Sequence, residues 1–157
     1  MNYPITPAIR VLRERKIEFA PHVFQYVEKG GTKHSAAVLK ADEHAVIKTL
    51  VFETNERQPL IVLQHGDFQV STKILARILN VKTIAPVAPE RVNNLTGYLI
   101  GGTSPFGVKT KMPIYAEKTI FDLPMIYING GKRGFLVGID PSALVTLLRP
   151  TLVDASA

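Results

Sequence analysis

Apolar and polar positions along this chain recur with two periods, and each change of period marks an element. Ile5, Ile9, Leu12 and the aliphatic stem of Lys16 follow helical spacing around Thr6-Pro7. Thr6 supplies a capping hydroxyl, and Pro7 suits the first helical position, where an N–H has no helical partner to lose. Glu18 to Val27 reads as a strand interrupted by Pro21, which suits an edge or a bulge because it cannot donate to a ladder. Gly30-Gly31 predicts a loop and Thr32 to Ala41 a short helix. Val46 to Thr54 is rich in β-branched residues and reads as a central strand. Asn55 to Pro59 is turn chemistry, so Leu60 to Gln64 completes a hairpin. Ser71 caps a helix in which Ile74, Leu75, Ile78 and Leu79 form one apolar stripe.

Lys82 to Val87 reads as a strand, and Pro89 opens a short helix ending near Asn94. Met112 to Ala116 is again a strand. Met125 to Asn129 and Phe135 to Ile139 flank a glycine pair and predict a second hairpin. Asp140-Pro141 starts a last helix with Leu144, Leu147 and Leu148 on its buried face. Pro150 stops it, and Asp154 to Ala157 is expected to fray. No repeat or linker divides the chain, so a single domain over residues 1–157 is expected. The irregular alternation of helices and strands, with hairpins among them, argues for a mixed α/β (α+β) fold and against a doubly wound parallel sheet.

Composition narrows the chemistry. A chain of 157 residues, 46% hydrophobic, can bury a real core. No apolar run is long enough to cross a membrane and no charged-then-apolar leader is present, so the expectation is a cytoplasmic protein with an intact N-terminus and no membrane partner. Zero cysteines exclude disulfides, thiolate metal sites and a cysteine nucleophile. The four histidines (His22, His34, His44 and His65) show no paired ligand spacing, so neither a metal site nor a cofactor is expected. No two carboxylates suggest an acid–base pair; Asp122 and Asp140 read as turn or cap residues. The formal charge of +6 favours polyanionic partners through counterion release. Arg10, Arg13 and Arg15 read either as a solvated face or as a nucleic-acid contact; Lys73 and Arg77 read as solvated.

Three stretches carry candidate chemistry. The first is Gly97 to Gly107, with Gly101-Gly102 at its centre and Thr103, Ser104 and Pro105 behind them. Adjacent glycines permit positive φ and a close ligand approach, and their N–H groups can serve an anion or a carbonyl oxygen. Ser104 lacks the Gly-x-Ser-x-Gly elbow and precedes a proline, so it reads as a structural or positioning hydroxyl rather than a nucleophile. The second stretch is Lys48 inside Val46 to Phe52. An unpaired ammonium buried there costs several kcal/mol, so Lys48 pairs, neutralises, faces solvent or points into a pocket. The third is Asn129-Gly130-Gly131-Lys132-Arg133-Gly134, which reads as a charged hairpin tip or as a ligand wall.

The order and spacing of Lys48-Thr49-Leu50, of Thr96-Gly97-Tyr98-Leu99 with Gly101-Gly102 and Ser104-Pro105, and of Gly130-Gly131-Lys132-Arg133-Gly134 resemble the YbaK family of aminoacyl-tRNA deacylases. That family includes the editing domain inserted in bacterial prolyl-tRNA synthetases. Thr6-Pro7-Ala8 is similar to the start of its members, so the resemblance covers nearly the whole chain. It implies a curved, partly barrel-like mixed sheet with helices around it. It also implies hydrolysis of the ester of a mischarged tRNA, first of all Cys-tRNA(Pro), with alanine, serine and threonine esters as rivals. The implied partners are the aminoacylated 3′ end of tRNA and prolyl-tRNA synthetase. Lys48 would bind the terminal phosphate or ribose, and Gly101 and Gly102 would place N–H groups around the aminoacyl carbonyl. Gly130 and Gly131 would lie near the aminoacyl group, with Lys132 and Arg133 near RNA and Phe24, Thr49, Thr103, Ser104 and Asn129 around the substrate. Attack would come from water or from the substrate's own side chain. The chain departs from cysteine-specific members at three places, holding Phe24 for a tyrosine (with Tyr26 close by), Asn129 for a serine and Leu136 for an aspartate. Those departures keep a second reading open, a non-catalytic module that binds aminoacyl-tRNA, a nucleotide or a synthetase in the same pocket.

Overall fold

The Thr6 hydroxyl accepts the Ile9 N–H at 3.1 Å and starts helix α1 (Pro7–Glu14), whose buried face is Ala8, Ile9 and Leu12. This is seen in a computed structural model that describes residues 2–157. Ile5 and Lys16 fall outside that face and are exposed, because Ile5 precedes the cap and Lys16 follows the helix at positive φ. The elements that follow are β1 (Ala20–Val23), α2 (Gly31–Leu39), β2 (Val46–Thr54), β3 (Pro59–His65), α3 (Thr72–Leu79), β4 (Ile84–Pro86) and α4 (Pro89–Thr96). Then come β5 (Ile114–Glu117), β6 (Ile126–Lys132), β7 (Phe135–Ile139), α5 (Ser142–Leu148) and β8 (Thr151–Val153). All eight strands form one mixed sheet in the order β1-β7-β6-β2-β3-β5-β8, with β4 added to β2. The order ends at β1 and β8, so the sheet stays open. Pro21 sits on the edge strand β1, which pairs only with β7.

Strand β2 organises the sheet. One of its edges is antiparallel to β3 from Ile47↔His65 to Glu53↔Pro59. The other is shared: β6 pairs in parallel at Val46 and Ile47, and β4 pairs antiparallel at Phe52 to Thr54. Lys48 to Val51 therefore face no strand on that side. Side chains alternate across the sheet. Ile47 and Val51 enter the larger core with Ile61, Leu63, Ile9, Leu12 and Phe106, and Phe52 enters a second one with Leu60, Val62, Leu75 and Ile84.

Several boundaries differ from the pattern of the sequence. The first strand is only Ala20–Val23, since the chain beyond it turns away to form a wall of a cavity. The helix opened by Pro89 runs on to Thr96, where Gly97 takes the left-handed conformation that ends it. In α3 only Leu75 and Ala76 are buried; Ile74 and Ile78 face solvent, because the helix lies on the sheet along a narrow seam. The C-terminus does not fray. Strand β8 pairs in parallel with β5, Ala155 donates to the buried Glu117 carboxylate at 3.1 Å, and Ser71 donates to the Ala155 carbonyl at 2.7 Å. These partners come from distant segments, so no local signal announces them.

Candidate functional site

A cavity of about 720 Å³ lies against the unpartnered stretch of β2 and is lined by every residue from Val46 to Phe52. Phe24, Tyr26 and His34 wall one side, and Ile100, Gly101 and Thr103 another. The gap leaves backbone groups unpaired. In an antiparallel ladder the N–H and C=O of one residue point the same way, and the direction alternates along the strand. The Val51 carbonyl points to the open side, where it accepts the Val87 N–H at 3.1 Å. Two residues back, Thr49 therefore directs its N–H and C=O into the gap. Its side chain is unsatisfied as well: among the described residues, Thr49 Oγ1 is the one fully buried side-chain polar atom without a hydrogen-bond partner. A buried orphan of this kind costs about 1–3 kcal/mol.

Lys48 is half-buried at the same wall and donates to the Phe68 carbonyl. Burial pushes its pKa below the usual lysine value, while the nearby Glu43 and Asp67 carboxylates push back. Its charge is held by a neutral carbonyl rather than by an ion pair, so it remains available to an anion.

The glycine loop is braced from below and from the side. Tyr98 is buried at its start and donates to the Phe106 carbonyl at 2.6 Å; burial pushes its phenol up to about 12. Gly101 stands at φ +83°. Among the described residues its N–H has no backbone acceptor, whereas the Gly102 N–H donates to the Leu99 carbonyl at 2.8 Å. Of the two N–H groups expected around a carbonyl, the structure leaves only that of Gly101 free of the backbone. Gly102 instead permits close packing: a Cβ there would lie 2.7 Å from the Arg133 backbone nitrogen. The Asn129 amide donates to the Gly101 carbonyl at 3.2 Å, and its oxygen accepts from the N–H groups of Gly131 (2.6 Å) and Lys132 (3.1 Å). Arg133 Nε donates to the Ile100 carbonyl at 2.9 Å, and the guanidinium lies over the Tyr26 ring.

Of the residues that the sequence marks, Phe24, Lys48, Thr49, Gly101, Thr103 and Asn129 line the cavity together. Gly102, Ser104, Gly130, Gly131, Lys132 and Arg133 are not part of its lining. Ser104 is fully buried and accepts the Phe106 N–H at 3.2 Å, so its hydroxyl shapes the loop from within. Gly130 lies against Phe135, where a Cβ would come within 2.5 Å of the ring. Asp140 stays in its cap role: its carboxyl, hydrogen-bonded by Ser142, is held below the usual carboxylate range. Sequence reasoning did not place His34, Gln69, Val70 or Thr72 at the cavity; none carries a local signal, since all arrive through long-range packing. Among the described residues, no group of three or more His, Cys, Asp or Glu side chains could hold a metal ion, and no helix is long and apolar enough to cross a membrane.

The cavity lining holds one imidazole, that of His34, and no carboxylate. Comparison with known proteins gives the class. The model of the family described as "Aminoacyl-tRNA editing domain" matches residues 30–147, most of the chain, and the protein belongs to that family. The chain is 27% identical over 143 residues to EbsC of Enterococcus faecalis, a candidate Cys-tRNA(Pro)/Cys-tRNA(Cys) deacylase, covering 90% of this chain and 87% of that one. It is 30% identical over 108 residues to the proline–tRNA ligase of Streptococcus equi subsp. zooepidemicus, covering 68% of this chain but only 17% of the ligase. A solved structure described as a candidate trans-editing enzyme for prolyl-tRNA synthetase shares the fold, with a TM-score of 0.84, 23% identity and 99% of each chain covered.

Proposed function

We propose that this protein is a free-standing deacylase that hydrolyses the ester of mischarged tRNA, with Cys-tRNA(Pro) as the first substrate and alanyl, seryl and threonyl esters as rivals. The observation that carries this reading is Thr49, whose hydroxyl, N–H and C=O stand unpaired in a gap of the sheet next to a half-buried ammonium. An aminoacyl end offers complementary groups: an ammonium, an ester carbonyl, a ribose hydroxyl and a phosphate. Lys48 takes the phosphate or ribose, Thr49 holds the aminoacyl part, and the Gly101 N–H meets the carbonyl oxygen as it gains negative charge. The cavity wall supplies no cysteine, and Ser104 is buried away from it. In this reading water or a group on the substrate attacks the carbonyl carbon, and the C–O bond to the ribose breaks. Positioning and oxyanion stabilisation supply the rate.

Phe24, Asn129 and Leu136, the three departures from cysteine-specific members, all line the cavity, which makes the identity of the amino acid the open variable. The proposed setting is the cytoplasm, where tRNA is charged, with prolyl-tRNA synthetase as companion. The test is a panel of mischarged tRNAs incubated with the purified protein, with and without the synthetase. Turnover of one ester at catalytic protein concentration is the expected result. Salt-sensitive binding that leaves every ester intact would identify a binding module instead.

A further inference from the structure

Where the turn before β2 meets the end of β3 and the segment after it, a cluster of side chains is left without a role by this reading. The imidazoles of His44 and His65 stack with centroids 3.6 Å apart and planes 6° from parallel. Each ring is also held at its rim. His44 Nδ1 lies 2.9 Å from the Asp67 carboxylate. His65 Nδ1 lies 2.6 Å from the His44 carbonyl and its Nε2 lies 2.7 Å from Thr119 Oγ1. A carbonyl can only accept, so His65 carries its proton on Nδ1 and, when neutral, receives the Thr119 hydroxyl proton at Nε2. Phe68 stands edge-on to both rings, with centroids 5.0 Å from His44 and 5.4 Å from His65. The carbonyl of that same Phe68 accepts from Lys48 Nζ.

We propose that His44, His65 and Asp67 form a positioning unit for Lys48: they fix Phe68, and its carbonyl holds the ammonium at the cavity wall. The proposal rests on the reading of Lys48 as the substrate-binding cation. A lysine ammonium swings on a flexible four-carbon stem. A fixed carbonyl restricts that swing without neutralising the charge, which a carboxylate in the same place would do. The Thr32 hydroxyl, shared between Glu43 (2.8 Å) and the Gly66 carbonyl (3.1 Å), ties the same loop to α2. The charged groups acting on Lys48 are Glu43 and Asp67, which favour its charged form; behind them His44 pairs with Asp67, and burial holds His65 towards neutrality. Tyr26, Lys29 and His34 line the same cavity.

The test uses the full chain labelled with 13Cε-lysine, as Asp67→Asn and His44→Ala. Lys48 is titrated by NMR, and single-turnover deacylation is followed against pH. Removing the Asp67 charge leaves burial less opposed, so in Asp67→Asn Lys48 titrates at lower pH than in the wild type, and the alkaline limb of the rate profile moves the same way. His44→Ala frees Phe68; it shifts the Lys48 resonance and lowers the single-turnover rate about tenfold or more. If His44→Ala does not fold, His44→Gln replaces it, because losing the Asp67 charge moves Lys48 by direct Coulomb attraction whether or not Phe68 is held. An unmoved Lys48 resonance in the His44 variant overturns the proposal, whether or not the protein deacylates anything. A shifted resonance in a protein inactive on every mischarged tRNA supports the coupling and overturns the deacylase reading instead.

Discussion

Asn129 donates its side-chain amide to the Gly101 carbonyl at 3.2 Å while its oxygen gathers the N–H groups of Gly131 and Lys132. One side chain thus locks both the hairpin tip between β6 and β7 and the glycine loop facing it. The two halves of this clasp can be separated. Asn129→Asp keeps the acceptor for the hairpin and loses the donor to Gly101. It should leave the thermal midpoint near that of the wild type and lower single-turnover deacylation about tenfold. Asn129→Ala loses both halves and should also destabilise by about 1–3 kcal/mol in urea denaturation.

Gly101 and Tyr26 form a second testable pair. A Cβ on Gly101 would lie 2.8 Å from Tyr26 Oη, at a φ of +83° that side chains resist. Gly101→Ala should cost about 1–2 kcal/mol from backbone conformation alone and lower the single-turnover rate. Gly101→Val, with a β-branched side chain at the same wall, should lower it further. Adding Tyr26→Phe to Gly101→Ala removes the nearest atom and should restore part of the lost rate. A double-mutant cycle measures that coupling.

Thr49→Val replaces an unpaired buried hydroxyl with a methyl group of similar size. Stability should stay level or rise by about 1 kcal/mol, since an orphaned polar atom is removed. Activity should fall, because the proposed function gives Thr49 the aminoacyl part to hold. Urea denaturation and kcat/KM, measured on one preparation, should therefore move in opposite directions.

Lys48 gives a pH-dependent signature. Its pKa in the folded state lies below the unfolded value of 10.5, with burial as the main cause. Between those two values the unfolded chain binds more protons, so this group's contribution to stability rises with pH across the window. Below it, both states are protonated and the fold carries the full cost of the half-buried ammonium; above it, both are neutral. Lys48→Met should thus be more stable than the wild type at neutral pH, and the difference should shrink as pH rises towards 10.5. Denaturation at a series of pH values checks the sign. The same variant should lose deacylation by orders of magnitude while remaining folded.

Local chemistry was enough to place the capped start of α1 at Thr6, the hairpin of β2 and β3, the Ser71 cap of α3 and the hairpin of β6 and β7. Capping hydroxyls, turn residues and β-branched runs act over a few residues, so a linear reading finds them. The same reading marked Lys48, Thr49, Gly101 and Asn129, which the fold gathers at one cavity. Tertiary structure alone decided why they matter. The gap beside Thr49 exists because β6 and β4, distant from each other in the chain, pair with the two ends of one edge of β2. The removal of Ser104 from the cavity and the stacking of His44 on His65 arise in the same way. Each is a contact between segments brought together by sheet order and core packing, and burial rather than residue type determines which polar groups are left without a partner.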